Sequence, residues 1–230
     1  VSSIHSIRAA LAIVVTAASV AAAAQELPPV APRIREASAS GFTIFLRGMP
    51  IGSEQTAVVR RADGWMITST GRLNAPLDIV TRKLEIRYNP NWKPVELTID
   101  ATVRGQTQTL HTTINGSTAT TVFTNGTESN SSTATVEVDV LLPTPFFAAY
   151  EALAARLGSA PSGTTISALV VPQTVISIVV GESSDERIQT AADTIETKRT
   201  HITLTGGNAP SVQADVWGDK NGRLLRLSIP

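Results

Sequence analysis

The chain has 230 residues, with 19 Lys plus Arg set against 19 Asp plus Glu, so its formal net charge is zero. That balance supplies no concentrated basic surface for nucleic acid or an anionic membrane. Cysteine is absent, which excludes disulfides, thiolate metal sites, a cysteine nucleophile and the cysteine of a bacterial lipid anchor.

From the N-terminus, Ser2 to Arg8 is a short polar stretch with one positive charge, Ala9 to Ala24 is an apolar run, and Ala22, Ala23 and Ala24 are small residues of the kind a signal peptidase needs. This pattern predicts a secretory signal peptide over residues 1–24, cleaved near Ala24, and a product in the bacterial periplasm or outside the cell. The run of 16 residues, much of it alanine, is short against the roughly 20 needed to cross a bilayer, so no membrane span is expected after cleavage. Residues 25–40 carry Pro28, Pro29 and Pro32 followed by Arg33, Arg35 and Glu36, and read as an extended linker. A single β domain with one inserted helix is expected over residues 41–230. The abrupt strand-like ending at Leu224 to Ile229, followed by Pro230, gives the expectation that the natural polypeptide continues.

From Gly41 onward the pattern has period two, with turn residues every eight to twelve positions. Gln55 to Ala62 and Trp65 to Gly71 flank Asp63-Gly64, and Leu84, Ile86 and Tyr88 alternate with Lys83, Glu85 and Arg87. Leu97, Ile99, Ala101 and Val103 point inward on the next strand, and Leu110, Thr112 and Ile114 follow Arg104-Gly105. Val122 and Phe123 close the hairpin at Asn115-Gly116, Thr124 to Ser132 reads as a polar loop, and Val136, Val138 and Val140 alternate with Glu137 and Asp139. Thr144 as cap, Pro145 at the first helical position, a stripe of Phe146, Tyr150, Leu153 and Leu157, and Gly158 as stop predict a helix over 145–157. Glu151, off that stripe, is expected to be exposed and tolerant of change. Val175 to Val180 is apolar on both faces apart from Ser177 and should be central; Ile195 to Leu204 and Val212 to Trp217 should pair across Gly206-Gly207-Asn208, and Asp219 to Gly222 should form the last hairpin turn.

A flat meander would leave one face of every strand unburied. The expected architecture is therefore a mainly β, strongly curved antiparallel meander, an open or half-closed barrel with the helix on its concave face. A two-sheet β-sandwich is the alternative.

No reaction is legible, and no cofactor or metal is implied. His111 and His201 each sit on the polar face of a strand without a third ligand at a telling spacing. The strained G-x-S-x-G turn of a serine hydrolase is absent, and the glycines at 206 and 207 precede a strand, not a helix that could hold phosphate. Asp219-Lys220-Asn221-Gly222 lacks the later glutamate of a calcium loop, and Glu137 with Asp139 lacks a partner of contrasting environment. Trp65, Trp92 and Trp217 stand at strand ends, where they either line a barrel mouth or plug it.

The run from Phe42 through Ile51-Gly52, Asp63-Gly64-Trp65, Glu85-Ile86-Arg87-Tyr88 and Trp92-Lys93-Pro94 resembles the N-terminal β region of exported bacterial α/β-hydrolases. Phe146-Phe147-Ala148-Ala149-Tyr150-Glu151-Ala152-Leu153, Val171-Pro172-Gln173, Val216-Trp217-Gly218-Asp219 and Gly222-Arg223-Leu224 extend the resemblance. The chain is also similar to periplasmic β domains of unknown function whose curved sheet is like that of the lipoprotein carriers. In such hydrolases the catalytic Ser, Asp and His belong to a later domain, so the resemblance implies a non-catalytic accessory domain and assigns no catalytic residue here. The other expectation is a free-standing periplasmic binder of a lipid or other apolar molecule, its cavity lined by Leu97, Ile99, Val103, Phe146 and Tyr150. Against that stands a close-packed interior, which the bulk of the helix stripe favours.

Overall fold

The computed structural model describes residues 11–15, 37–190, 193–206 and 210–230. Its strands are β1 (Leu11–Val15), β2 (Ala37–Leu46), β3 (Met49–Arg61), β4 (Gly64–Leu73), β5 (Ile79–Tyr88), β6 (Pro94–Val103), β7 (Gln106–Asn115), β8 (Thr118–Asn125), β9 (Glu128–Thr135) and β10 (Val140–Leu141). Helix α1 (Tyr150–Leu157) follows, then β11 (Thr165–Val170), β12 (Thr174–Gln189), β13 (Thr194–Thr205), β14 (Val212–Gly218) and β15 (Leu224–Ile229). All fifteen strands belong to one sheet, ordered β10-β11-β12-β13-β14-β15-β1-β2-β3-β4-β5-β6-β7-β8-β9. The sheet is antiparallel except for the β10–β11 pair, and it is curled into a half-barrel. The curved meander is therefore the observed architecture, and the two-sheet sandwich is not.

The alternation dictates the curl. Inward residues such as Ile67, Leu84, Ile86, Leu97 and Ile178 are fully buried and join the helix in one core, which a single sheet can enclose only by bending around its own filling. The β10 edge folds inward until the backbone N–H of Leu141 donates to the Tyr88 hydroxyl on β5 at 3.3 Å. Burial pushes the Tyr88 phenol well above its ordinary value. The opposite edge, β9, is almost wholly polar and mostly exposed.

Several expectations are corrected. The helix begins at Tyr150, not Pro145, because Thr144 caps nothing: the amides of Phe147 and Ala148 are taken instead by Glu54 of β3. Residues 144–149 form tight turns with i→i+3 bonds, Phe146 to Pro143, Tyr150 to Phe147 and Glu151 to Ala148. Glu151 is 1% exposed, not a surface residue; the helix lies inside the curl, so the side away from the bulky stripe also faces protein. The polar loop expected at Thr124 to Ser132 is the end of β8 and most of β9, strands paired through Phe123↔Asn130 and Thr121↔Ser132. Val136 and Val138 are buried but lie outside any strand, and only Val140–Leu141 pairs. Val175 and Val179 are 41% and 38% exposed, because no second layer covers the outer face of β12. The folded sheet takes in Ala37 to Ser40, which pair with Thr56 to Val59. Leu11–Val15, inside the expected export segment, pairs with β15 and β2. The expected cleavage point near Ala24 and the glycine turn at 207–208 lie outside the described residues.

Two buried carboxylates fix the helix to the wall. Glu151 receives Arg223 Nε at 3.0 Å, Arg223 Nη2 at 2.9 Å and the Leu224 amide at 2.9 Å. Arg223 reaches on to the Ser38 carbonyl at 3.2 Å. The turn carrying it passes so close to the helix that a Cβ on Gly222, whose φ is +77°, would lie 3.1 Å from the Ala155 Cα. Glycine alone fits that backbone and that gap without strain.

Two substitutions test this account by urea denaturation. Leu153→Asp, which buries an unpaired charge in the helix–sheet seam, is expected to cost about 3 kcal/mol or more. Glu151→Ala strands the Arg223 guanidinium and should cost about 3–5 kcal/mol, with part of the loss recovered when Arg223 is removed as well. A Glu151→Ala protein as stable as the parent would show that the pair does not anchor the helix.

A candidate ligand cavity beneath the sheet

Cross-strand register builds the site. One row runs Leu84, Ile99, Leu110, Phe123 and Asn130 across β5 to β9. It passes from full burial at Leu84 to an exposed amide at Asn130. The adjacent row carries Thr81, Ala101, Gln108 and Asn125. Over these rows lie the segment from Pro143 to Phe146 and the turn from Val171 to Gln173, and between them is a cavity of about 450 Å³.

Its floor is hydrocarbon: Ile79, Ile99, Ala101 and Val171 are buried, while Val103, Leu110, Phe123 and Phe146 are partly so. Thr109, Asn130, Ser131 and Gln173 form an exposed polar side. Of the five residues expected to line a cavity, Ile99, Val103 and Phe146 do. Leu97 does not: it pairs with Ile86 and Thr112 and is fully enclosed by the core. Tyr150 stands in the first helical turn, packs against the core and does not reach the cavity; burial pushes its phenol up to about 12. Ala101, Leu110 and Phe123 had the right alternation, but only the placement of residues 143–146 and 171–173 shows that this stretch of the inner face lacks a close-packed cover.

The wall at Pro143 to Phe146 is held from the other side. Glu54 Oε2 accepts from the Phe147 amide at 3.0 Å, and Oε1 accepts from the Ala148 amide at 3.3 Å and the Ser69 hydroxyl at 2.5 Å. Burial raises the Glu54 carboxyl above its ordinary value of 4.5, outweighing these three hydrogen bonds, which pull it down.

The other candidates are spent on structure. His111 meets Thr98 at 3.2 Å on β6, whereas His201 on β13 meets Asp215 at 3.1 Å on β14, so the two do not converge. Burial pushes Asp215 up, but Arg199 and His201 overcome it and hold the carboxyl below its ordinary value. Asp139 behaves alike, burial being outweighed by Lys93, the Ser167 amide and Arg156; Glu137 is exposed. Asp219 accepts the amides of Asn221 and Arg223 at 2.8 Å each, as a hairpin turn requires. Trp65 stacks on Trp92 with ring centres 4.8 Å apart, and Trp217 donates to Glu186 at 2.8 Å. None of the three lines the cavity. Among the described residues no group of three His, Asp or Glu could hold a metal ion, and no helix is long and apolar enough to cross a membrane.

A larger cleft of about 1070 Å³ lies between the end of α1, the turn at 218–222 and the β12–β13 hairpin. Its wall is a mixture of charges in which Arg187 and Glu196 already pair at 3.0 Å. Small-molecule sites are typically apolar with a few convergent polar groups, and it is the smaller cavity that has that character.

No family model matches the chain, and no curated protein matches it. Among solved structures it is similar to a β-barrel-like protein of the domain of unknown function DUF1849 from Brucella abortus, at 8% identity over 96% of this chain and 94% of that one, with a TM-score of 0.44. It is also similar to a DUF1089 family protein from Pseudomonas aeruginosa, at 12% identity over 87% of this chain and 95% of that one, with a TM-score of 0.37.

The Glu54 contacts generate a pH test. A carboxyl whose folded value is raised contributes stability that is fully present below the ordinary value of 4.5 and is lost as pH rises through the raised one. Asp139 and Asp215, held low, act in the opposite sense: their contribution is present above the ordinary value and is lost as pH falls through the lowered one. Urea midpoints measured across this range should show Glu54→Gln gaining on the parent as pH rises. A constant difference would mean that Glu54 does not titrate on folding.

Proposed function

We propose that the chain is a non-catalytic, exported β domain that holds an apolar small molecule between the inner face of β5–β9 and the segment at Pro143 to Phe146. The observation that carries this reading is the cavity of about 450 Å³ with its hydrocarbon floor, which falls within the range of roughly 300–1,000 Å³ typical of ligand sites.

An apolar fluorescent dye should bind saturably and raise the melting temperature with its concentration. Val103→Phe, at a partly buried lining position, should fill the space and abolish dye binding while the protein still unfolds cooperatively. Dye binding unchanged by Val103→Phe would place the ligand elsewhere.

Export rests on the Arg8 charge, the apolar run and the alanine triplet ending at Ala24; cleavage there would remove β1, so β15 and β2 of the mature domain would lose the strand between them. N-terminal sequencing of periplasmic material should return Gln25, and an intact Val1 in the membrane fraction would refute cleavage. The resemblance of the Phe42 to Pro94 motifs supports a further reading, in which the domain accompanies the catalytic part of an exported hydrolase. A G-x-S-x-G turn encoded beyond Pro230 in the same reading frame is the result that reading requires.

A further inference from the structure

The chemistry of the cavity wall narrows the class of molecule it fits. Among the described residues that line it, none is Asp, Glu, Lys, Arg or His. The polar side chains that line it are all neutral: the amides of Gln108, Asn130 and Gln173, and the hydroxyls of Thr109, Ser131, Ser132 and Thr144. Charged residues stand close by in the chain, with Asp78 before Ile79, Arg104 after Val103 and Glu128 at the start of β9, but all three are exposed and none contributes to the wall.

Resting on the reading of this cavity as a ligand site, we propose that its ligand is an electrically neutral, single-chain amphiphile. The acyl or alkyl chain lies along Ile99, Leu110 and Phe123, and a hydroxyl, ester or amide head meets the neutral rim at Asn130 and Gln173. The direction follows from the row that ends at Asn130, which turns from buried hydrocarbon to an exposed amide as it crosses from β5 to β9.

Charge decides between head groups. A carboxylate, phosphate or ammonium at this rim meets no counter-charge, so whatever water it sheds against the wall is not compensated. A hydroxyl or ester exchanges hydrogen bonds with water for hydrogen bonds with side chains, and amide rims supply donors and acceptors together. The size points the same way: about 450 Å³ suits one chain, not the pair carried by a diacyl lipid.

The test is displacement of the bound apolar dye from the whole protein by three probes of equal chain length, each below its micellar concentration at mildly alkaline pH: monolauroylglycerol, laurate and lauryltrimethylammonium. The neutral probe should compete at least about tenfold more tightly than either ion. Asn130→Lys, a change at an exposed edge-strand position, should shift the preference toward laurate, and Asn130→Asp toward the ammonium probe. Laurate competing as well as monolauroylglycerol on the parent protein would overturn the neutral-head assignment while leaving the cavity as a ligand site. Failure of the dye and all three probes to bind would instead remove the ligand site itself, and this inference with it.

Discussion

Glu151, almost wholly shielded from water, is held by the fork of Arg223 and the Leu224 amide, and the position of the helix inside the curl depends on that contact. A helix of eight residues is too short to persist alone, and its N-cap, Ala149, offers no side-chain bond. It is therefore fixed from outside. Glu54 takes the two amides ahead of it, Arg223 grips its first turn, and Arg156 in its last turn donates to the Trp92 carbonyl at 2.6 Å and the Asp139 carbonyl at 3.2 Å. Three separate parts of the sheet thus hold one short rod, and the segment from Pro143 to Phe146 that walls the cavity takes its place from the same attachments. The alanines at 148, 149, 152 and 154, all buried, let strands and helix approach closely where larger residues would hold them apart.

The outer face follows different physics. Arg82 with Asp100, Arg87 with Glu96, and Arg199 with Glu186 pair across neighbouring strands at the surface. Exposed pairs of this kind are worth about 0–1 kcal/mol each. Their value is in register: a slip of one residue would set these charges against the core and turn Leu84, Ile86 and Leu97 outward.

Strands with an apolar face were legible in the sequence, because Leu84-Ile86-Tyr88 and Leu97-Ile99-Ala101 carry period two in their hydrophobicity. β9 and the second half of β12 were not, since ESNSSTAT and the stretch from Glu182 to Gln189 have no apolar face, and their pairing is set by the neighbouring strand. The helix was visible as a stripe, but a stripe implies one buried side, and inside a curled sheet a helix is buried on several. That is why Glu151 read as surface. Ile99, Val103 and Phe146 were recognisable as facing one interior, yet a cavity depends on where packing stops short, and alternation says nothing of that. Leu97, on the same face as Ile99, is enclosed; two residues along the strand the wall opens.

The strand order also bears on how the chain assembles. From β2 to β9 every strand pairs with its neighbour in sequence, and the same holds from β11 to β15. Ladders of this sort close short loops and cost little chain entropy to begin. The two ladders meet at β1, which pairs with β15 on one side and β2 on the other, and through side-chain contacts that include Tyr88 to Leu141, Glu54 to the amides at 147 and 148, Thr121 to the Pro172 carbonyl, Arg156 to the Trp92 carbonyl, and Arg223 to Glu151 and to the Ser38 carbonyl. Most of the side-chain contacts involve the stretch from Leu141 to Arg156. The two hairpin ladders can thus form most of their hydrogen bonds locally and become one body when β1 and the stretch from Leu141 to Arg156 dock, so separate protection of β3 to β8 and of β12 to β14 in amide exchange is the consequence to look for.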